Sequence, residues 1–409
     1  MNTVTVDTFR SIAKGHPALL FATLMLGMMA QTLAFTVLAS ALPQMARDLG
    51  QHGELMAQMS MALAALGLMF GSLLSGWILE KAGTRATMLT GMLAYGAAGA
   101  GGLVLRDATF LLATRFVVGF AAACVLTTCM WGISAEYRAE GRAKMLGVAS
   151  ALAHLVSLSG AVVGGYLAQR GGWHLPFMVY PVFGATGFLL TLGSLRQVRP
   201  EAAPGHRVPP FFKRLLPLYL LAVLIFMVNV MGSTQLPFLL NENGITSPQT
   251  RSLNLGTIIV FAILTSFAYG PLQRWLTIRG AFALGLFSVA FAFATMGWAT
   301  SMTRALLGAG LMGIYIGVVH PYLYHAVTER ADPFTRSRAL GLLGAFCFLG
   351  GFLNPFVFEP LGRMIGLRNV FFLVALVMAI LALATLAILL RSRNALAPGR
   401  QGHAADSTM

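Results

Sequence analysis

Residues 76–89 read GWILEKAGTRATML, and the fold turns on how they are read. The stretch lies between two long apolar runs, has no apolar periodicity of its own, and gathers Glu80, Lys81 and Arg85 around Gly83. A charge at the centre of a bilayer costs roughly 2.5–3.5 kcal/mol even on permissive scales. A turn carrying both signs of charge between two membrane-length segments therefore belongs at the water edge. That placement sets the direction in which every other segment runs.

Composition agrees. Of 409 residues, 57% are hydrophobic and only 10% charged, whereas soluble domains carry about 25% charged residues, so a soluble domain is excluded. The 45 glycines suit close helix packing in lipid. The formal net charge of +15 does not indicate nucleic acid, because the basic residues sit in short connections and do not cluster with stacking aromatics. Cys124, Cys129 and Cys347 fall inside apolar runs and read as reduced and buried. Residues 1–16 are polar and show no signal-peptide pattern.

A spanning helix needs about 20 mostly apolar residues. Such runs occur at 17–43, 56–79, 86–105, 108–135, 145–167, 174–195, 215–240, 253–272, 281–299, 305–327, 339–358 and 370–390. Helix is the economical reading, since lipid cannot satisfy an open sheet edge. Of 28 Lys and Arg residues, 20 fall on the side of Gly83, seven on the other and Arg115 inside the fourth run. The richer side is expected in the cytoplasm, with both termini. The longest polar connection, 196–214, holds Pro200, Pro204, Pro209, Pro210 and five basic residues. It is expected to link an N-terminal six-helix bundle (1–195) to a C-terminal one (215–391), followed by a cytoplasmic tail (392–409).

The halves repeat. Leu42-Pro43 with Asp48 and Gly50 recurs, 194 residues on, as Leu236-Pro237 with Glu242 and Gly244. The same offset relates Gly76 to Gly270, Arg85 to Arg279, Gly119 to Gly313, Arg142 to Arg336 and Gly147 to Gly341. Six helices return the chain to its starting side, so both halves enter the membrane alike. Such a parallel repeat places its binding site near the midplane between the halves.

With Gly76, Glu80, Lys81, Gly83 and Arg85 spaced G-x-x-x-[acid]-[base]-x-G-x-[base], the opening stretch resembles the loop signature of the major facilitator superfamily. Glu80 stands where that family usually has Asp. Leu111, Arg115 and Gly119 resemble its second signature, with Val118 where Gln is frequent. Gly160, Gly164 and Gly165 resemble its antiporter signature, although Ala161 replaces the usual Pro. The segments EGRAKMLG (140–147) and RSRALG (336–341) look like its paired cytoplasmic loops, and Gly172-Trp173 with Phe177 resembles the stretch that opens its sixth helix. LPQMARDLG (42–50) and QLPFLLNENG (235–244) look most like the twelve-helix bacterial drug-efflux branch.

The resemblance implies an all-α membrane protein of twelve transmembrane helices in two six-helix bundles. Runs 1, 4, 7 and 10 are expected to line a substrate cavity with Gln31, Arg115, Trp131, Asn229, Gln235, His320 and Tyr324, against an apolar wall of Met28, Phe35 and Phe226. Glu80 is expected to meet the N-terminus of the eleventh run, favourable for an anion, or Arg142, and so to favour an outward-facing state. Arg115 must face a cavity or a partner, or else snorkel to the outer edge.

No Asp or Glu lies in the middle of a run; the polar residues of the first run are Gln31, Thr32, Thr36 and Ser40. Proton coupling therefore falls to histidine, which titrates near neutrality, or to an end-placed acid. The candidates are His320, sharing a helix face with Tyr324, then Glu359 and His154. A packing histidine is the plainer reading of either imidazole. His320 and His325 point differently and have no carboxylate between them, so no metal site is expected, nor any cofactor. There is no G-x-S-x-G, H-E-x-x-H or phosphate-loop pattern. The expectation is a non-enzymatic, monomeric secondary transporter of the bacterial inner membrane. Its partners are a small-molecule substrate, protons and the lipid bilayer, with efflux of lipophilic or amphipathic compounds as the leading activity. The rivals are an uptake permease (symporter or uniporter) and, remotely, an intramembrane enzyme.

Overall fold

A computed structural model describes residues 12, 14, 16–50, 52–104, 107–137, 139–199, 211–331 and 336–395. Among them are twelve helical segments long and apolar enough to cross a membrane. We number them α1 (Pro17–Ala39), α2 (Gly53–Ala82), α3 (Thr84–Gly99), α4 (Ala108–Glu136), α5 (Ala139–Gly171), α6 (Val179–Ser194), α7 (Phe211–Thr234), α8 (Pro248–Tyr269), α9 (Gly280–Gly297), α10 (Met302–Arg330), α11 (Arg336–Ile365) and α12 (Leu367–Ala395). Below, "inner" denotes the side of Gly83 and "outer" the opposite side.

Several runs that read as single helices are interrupted. The first ends at Ala39 and restarts as Leu42–Asp48, and the seventh ends at Thr234 and restarts as Leu236–Glu242. In each restart a proline occupies the first turn, where its missing N–H costs nothing. The third run breaks into α3 and Gly101–Val104, and the sixth begins as a 3₁₀ turn, Leu175–Met178. By contrast, the eighth and ninth runs form one helical stretch, Pro248–Gly297. Both of its spans lie along α10: Gly313 meets Ile258 and Ala262 of α8, and Gly308 meets Ala292 and Met296 of α9. The chain therefore reverses between Tyr269 and Gly280.

The 194-residue repeat is visible in the elements themselves. Leu42–Asp48 and Leu236–Glu242 are offset by it at both ends, as are Ala108–Glu136 and Met302–Arg330. Gly50 and Gly244 close equivalent turns at φ 84° and 87°, a region that favours glycine. Gly119 packs on the backbone of Ala64 and Leu68, and Gly313 on Ile258 and Ala262, the same positions one repeat later. Two apolar cores result. One holds Leu24, Val37, Tyr95, Val125 and Phe177; the other holds Tyr219, Ile225, Phe293, Met312 and Phe371. Buried tyrosines tie helices together within each core. Tyr95 donates to the Ala30 carbonyl at 2.9 Å, and Tyr315 to that of Ile225 at 3.0 Å. Large apolar side chains such as Leu93, Phe110, Leu264, Phe291 and Ile380 remain exposed, as a lipid-facing belt requires.

The expected linker, 196–214, is described at its two ends. Its first residues are pinned to the inner end of the N-terminal bundle: Thr84 N–H donates to Val198 O at 2.9 Å and Arg196 N–H to Ile12 O at 2.9 Å. Helix resumes at Phe211. Residues 200–210 lie outside the described residues, as do residues 396–409 of the expected tail.

Candidate functional site

The two bundles meet along a seam formed by α1, α2 and α5 on one side and α7, α8, α10 and α11 on the other. Near the outer end the seam is held by amides. Gln235, at the end of α7, donates through Nε2 to Gln58 Oε1 of α2 at 3.1 Å and to Asn354 Oδ1 of α11 at 2.7 Å. Asn354 anchors this arrangement by donating to Met227 O at 2.8 Å, and its Oδ1 also accepts from Thr234 at 3.1 Å. All three amides are at most 3% exposed. Further out, Arg47 of the N-terminal half donates to Asn241 at 3.1 Å, and Ser247 bonds Gln169 across the seam at 2.9 Å. Gly165 of α5 packs on Ser252 of α8, a contact that a larger residue would force apart.

Inward of this lock are two adjoining cavities. The first, about 220 Å³, is lined by Gln31, Thr32, Phe35, Thr36 and Ser157 from the N-terminal half, and by Phe226, Asn229, Ser233, Ile316 and Phe348 among others from the C-terminal half. The second, about 500 Å³, lies nearer the inner end. It is lined by Ala151 and His154 of α5, by Ile263, Ser266 and Phe267 of α8, and by Ile316, His320, Pro321 and Tyr324 of α10. Ile316 lines both cavities. Between them the His320 ring stacks on Phe226, centroids 5.5 Å apart and 14° from parallel. Two imidazoles from opposite halves thus share one cavity, and His320 Nε2 is buried without a hydrogen-bond partner.

The candidate residues divide accordingly. Gln31 and Asn229 line the first cavity; His154, His320 and Tyr324 line the second. Gln235 lines neither and works in the lock. Trp131 packs against the N-terminal core. Gln58 and Asn354 escaped the sequence reading because their helices were not expected to line the site. Their signal was that of any amide within an apolar run.

Arg115 corrects an expectation. It does not line either cavity. It is fully buried within the N-terminal bundle, donates to Gly99 O at 3.3 Å, and lies over the rings of Phe177 and Tyr180 at 4.6 and 4.8 Å. Its positive charge sits at the C-terminal carbonyls of α3, where a helix dipole favours a cation. Glu359, the end-placed acid among the proton-coupling candidates, lies apart from His320. It is buried near the outer end of α11 and pairs with Arg363. Arg363 and Glu54 line an outer cavity of about 410 Å³ with Arg47 and Asn241. The lock separates this acid from the histidines.

In the loop between α2 and α3, Gly83 adopts φ 80° and caps α2 through its N–H to Leu79 O. Gln197 brackets it, bonding Ala82 O and accepting from Ala86 N–H at 3.0 Å. Lys81 Nζ lies 4.3 Å from the Trp77 ring centroid, and Arg85 donates to Leu192 O at 3.2 Å. A Cβ on Gly76 would meet nothing within 4 Å. Glu80 is half-buried. The side chain of Arg142, its expected partner, lies outside the described residues, as do those of 336–338.

Residues 24–355 match the family model described as Major Facilitator Superfamily. The chain is 26% identical over 178 residues to the Methylenomycin A resistance protein of Bacillus subtilis (strain 168), spanning 43% of this chain and 38% of that protein. It therefore spans well under half the length of that relative. It is 22% identical over 314 residues to the multidrug resistance protein MdtL of Klebsiella pneumoniae subsp. pneumoniae, spanning 72% of this chain and 76% of that protein. In shape it is similar to a crystal structure of the peptide transporter POT in complex with sulfate, with TM-score 0.74, 16% identity, and 92% and 95% of the two chains covered.

Proposed function

The chain belongs to the major facilitator superfamily and is an integral, multi-pass membrane transporter; from that premise we propose that it exports small lipophilic or amphipathic organic solutes across the bacterial inner membrane in exchange for protons. The observation that carries this reading is the pair of cavities on the seam, lined from both halves and closed outward by the Gln58–Gln235–Asn354 lock. The relatives named for methylenomycin A resistance and multidrug resistance support the outward direction. Both termini lie in the cytoplasm, following the charge bias. Residues 1–195 and 215–391 rock about the site as two units, and a single chain suffices.

A solute enters from the inner side and rests against Phe35, Phe226 and Phe348, oriented by Gln31 and Asn229, as a mostly apolar pocket with a few polar groups allows. Within the lock the Gln58–Gln235 bond is the one that crosses between the halves; it is neutral and contributes a net 0.5–1.5 kcal/mol or so. Rocking the halves can therefore break it without a large input, opening the site outward. His320 then takes a proton on Nε2 from the outside, and the proton leaves inward after the halves return. His154 across the cavity keeps the pair to one proton, since two like charges so placed oppose each other. Glu359 is the alternative proton carrier.

The test is solute flux in proteoliposomes under an imposed pH gradient, comparing the native chain with His320→Gln, His154→Gln and Glu359→Gln. The reading expects an acid exterior to drive export, and His320→Gln to abolish that drive. Loss of the drive in Glu359→Gln alone assigns the proton to the outer acid. Accumulation inside, driven by an acid exterior, would make the protein an uptake permease.

A further inference from the structure

We infer that the site accepts solutes without a fixed positive charge, uncharged or weakly acidic, and rejects permanent organic cations. This rests on the transport reading above and specifies its substrate class. Among the described residues, no acidic side chain lines either seam cavity. The groups that face a bound solute are amides, hydroxyls, aromatic rings and two imidazoles, and any charge the imidazoles take is positive. Glu54 and Glu359 lie on the outer side of the lock, Glu359 engaged by Arg363, and Glu329, toward the inner end of α10, is paired with His325 at 3.2 Å.

A permanent cation entering this site loses its hydration and gains no carboxylate in return. Ring faces recover only part of such a cost, and one of them, Phe226, is already stacked against His320. A neutral or weakly acidic solute meets the opposite situation. Its hydroxyl, carbonyl or carboxyl group finds His320 Nε2, buried and without a partner, beside Tyr324 and Ser266. Pairing that nitrogen is itself favourable, because an unsatisfied buried polar atom is costly.

The experiment measures growth of a bacterium lacking its own major efflux pumps, with and without the full chain. The panel of inhibitory compounds is sorted into quaternary ammonium and phosphonium cations, neutral compounds and weak acids. Two variants, Asn229→Asp and Gln31→Glu, place a carboxylate in the first cavity, and their membrane levels and melting temperatures are matched to the native chain. The native chain is expected to raise the inhibitory concentration of neutral and weakly acidic compounds and leave the cations unchanged, and at least one carboxylate variant to extend protection to the cations. Protection against a permanent cation by the native chain overturns this inference while leaving export standing. Matched variants that both fail to admit cations overturn it as well. Protection against no compound in any class overturns the export reading, and this inference with it.

Discussion

Arg115 shows how far a single residue can be read before its neighbours are known. A charge within an apolar run must have partners, and it has them, but the partners are the α3 carbonyls and two ring faces inside one bundle. The sequence reports the cost of such a charge and not what offsets it, because Phe177 and Tyr180 lie more than sixty residues away along the chain. Truncation would leave buried carbonyls unpaired, at roughly 1–3 kcal/mol, and remove cation–π contacts of about 0.5–2 kcal/mol. Arg115→Ala should therefore lower the melting temperature and the amount of protein in the membrane, while flux per folded molecule stays near native. A native melting temperature with lost flux would return Arg115 to the transport path. Gln31, Asn229 and His320 were legible for the converse reason: each is polar, lies within an apolar run, and belongs to a helix expected at the centre of the fold.

At the scale of elements, the lock joins α2, α7 and α11 through one amide, Gln235. Gln235→Leu removes the one amide bond of the lock that crosses between the halves, to Gln58; its bond to Asn354 lies within the C-terminal half. At about 0.5–1.5 kcal/mol the loss of the crossing bond should move the balance between closed and open outer ends by about two- to tenfold. Cysteine labelling from the outer side at positions beneath the lock should accelerate accordingly; an unchanged rate would show that the lock does not hold the seam. The glycines of the loop signature separate in the same way. Gly83 sits at φ 80° with Gln197 against it, so Gly83→Ala should destabilise by at least about 1 kcal/mol. Gly76 faces open space in a helix, so Gly76→Ala should be neutral or stabilising by a few tenths to about 1 kcal/mol. Thermal unfolding of the two variants tests this contrast, and equal losses would contradict it. The sequence marked both glycines alike because spacing does not report backbone conformation. Helix ends were legible where a proline or a charged residue marks them. They were illegible between α8 and α9, where helical bonding continues through the reversal.

The whole molecule was the most legible level, because twelve apolar runs, the charge bias and the 194-residue repeat are properties of long stretches and survive local misreadings. The repeat reappears as matched elements and matched glycine contacts. Each apolar core is built mostly from one half, with Phe238 and Phe348 of the C-terminal half joining the N-terminal core across the seam, and halves so built can move as units. Spin labels at the outer ends of α2 and α11 and at the inner ends of α5 and α8 should therefore show reciprocal distance changes when solute or acid pH is applied. Changes of the same sign at both ends would indicate swelling and not rocking. The seam cavities with their two histidines lead to one claim above the others, that solute leaves as a proton enters. Its most direct measurement follows both fluxes at once in proteoliposomes, using a compound against which the chain protects cells. Solute export should bring a matching inward movement of protons, lost in His320→Gln while solute still exchanges down its own gradient. Solute movement with no accompanying proton movement, and indifferent to the pH gradient, would contradict the account.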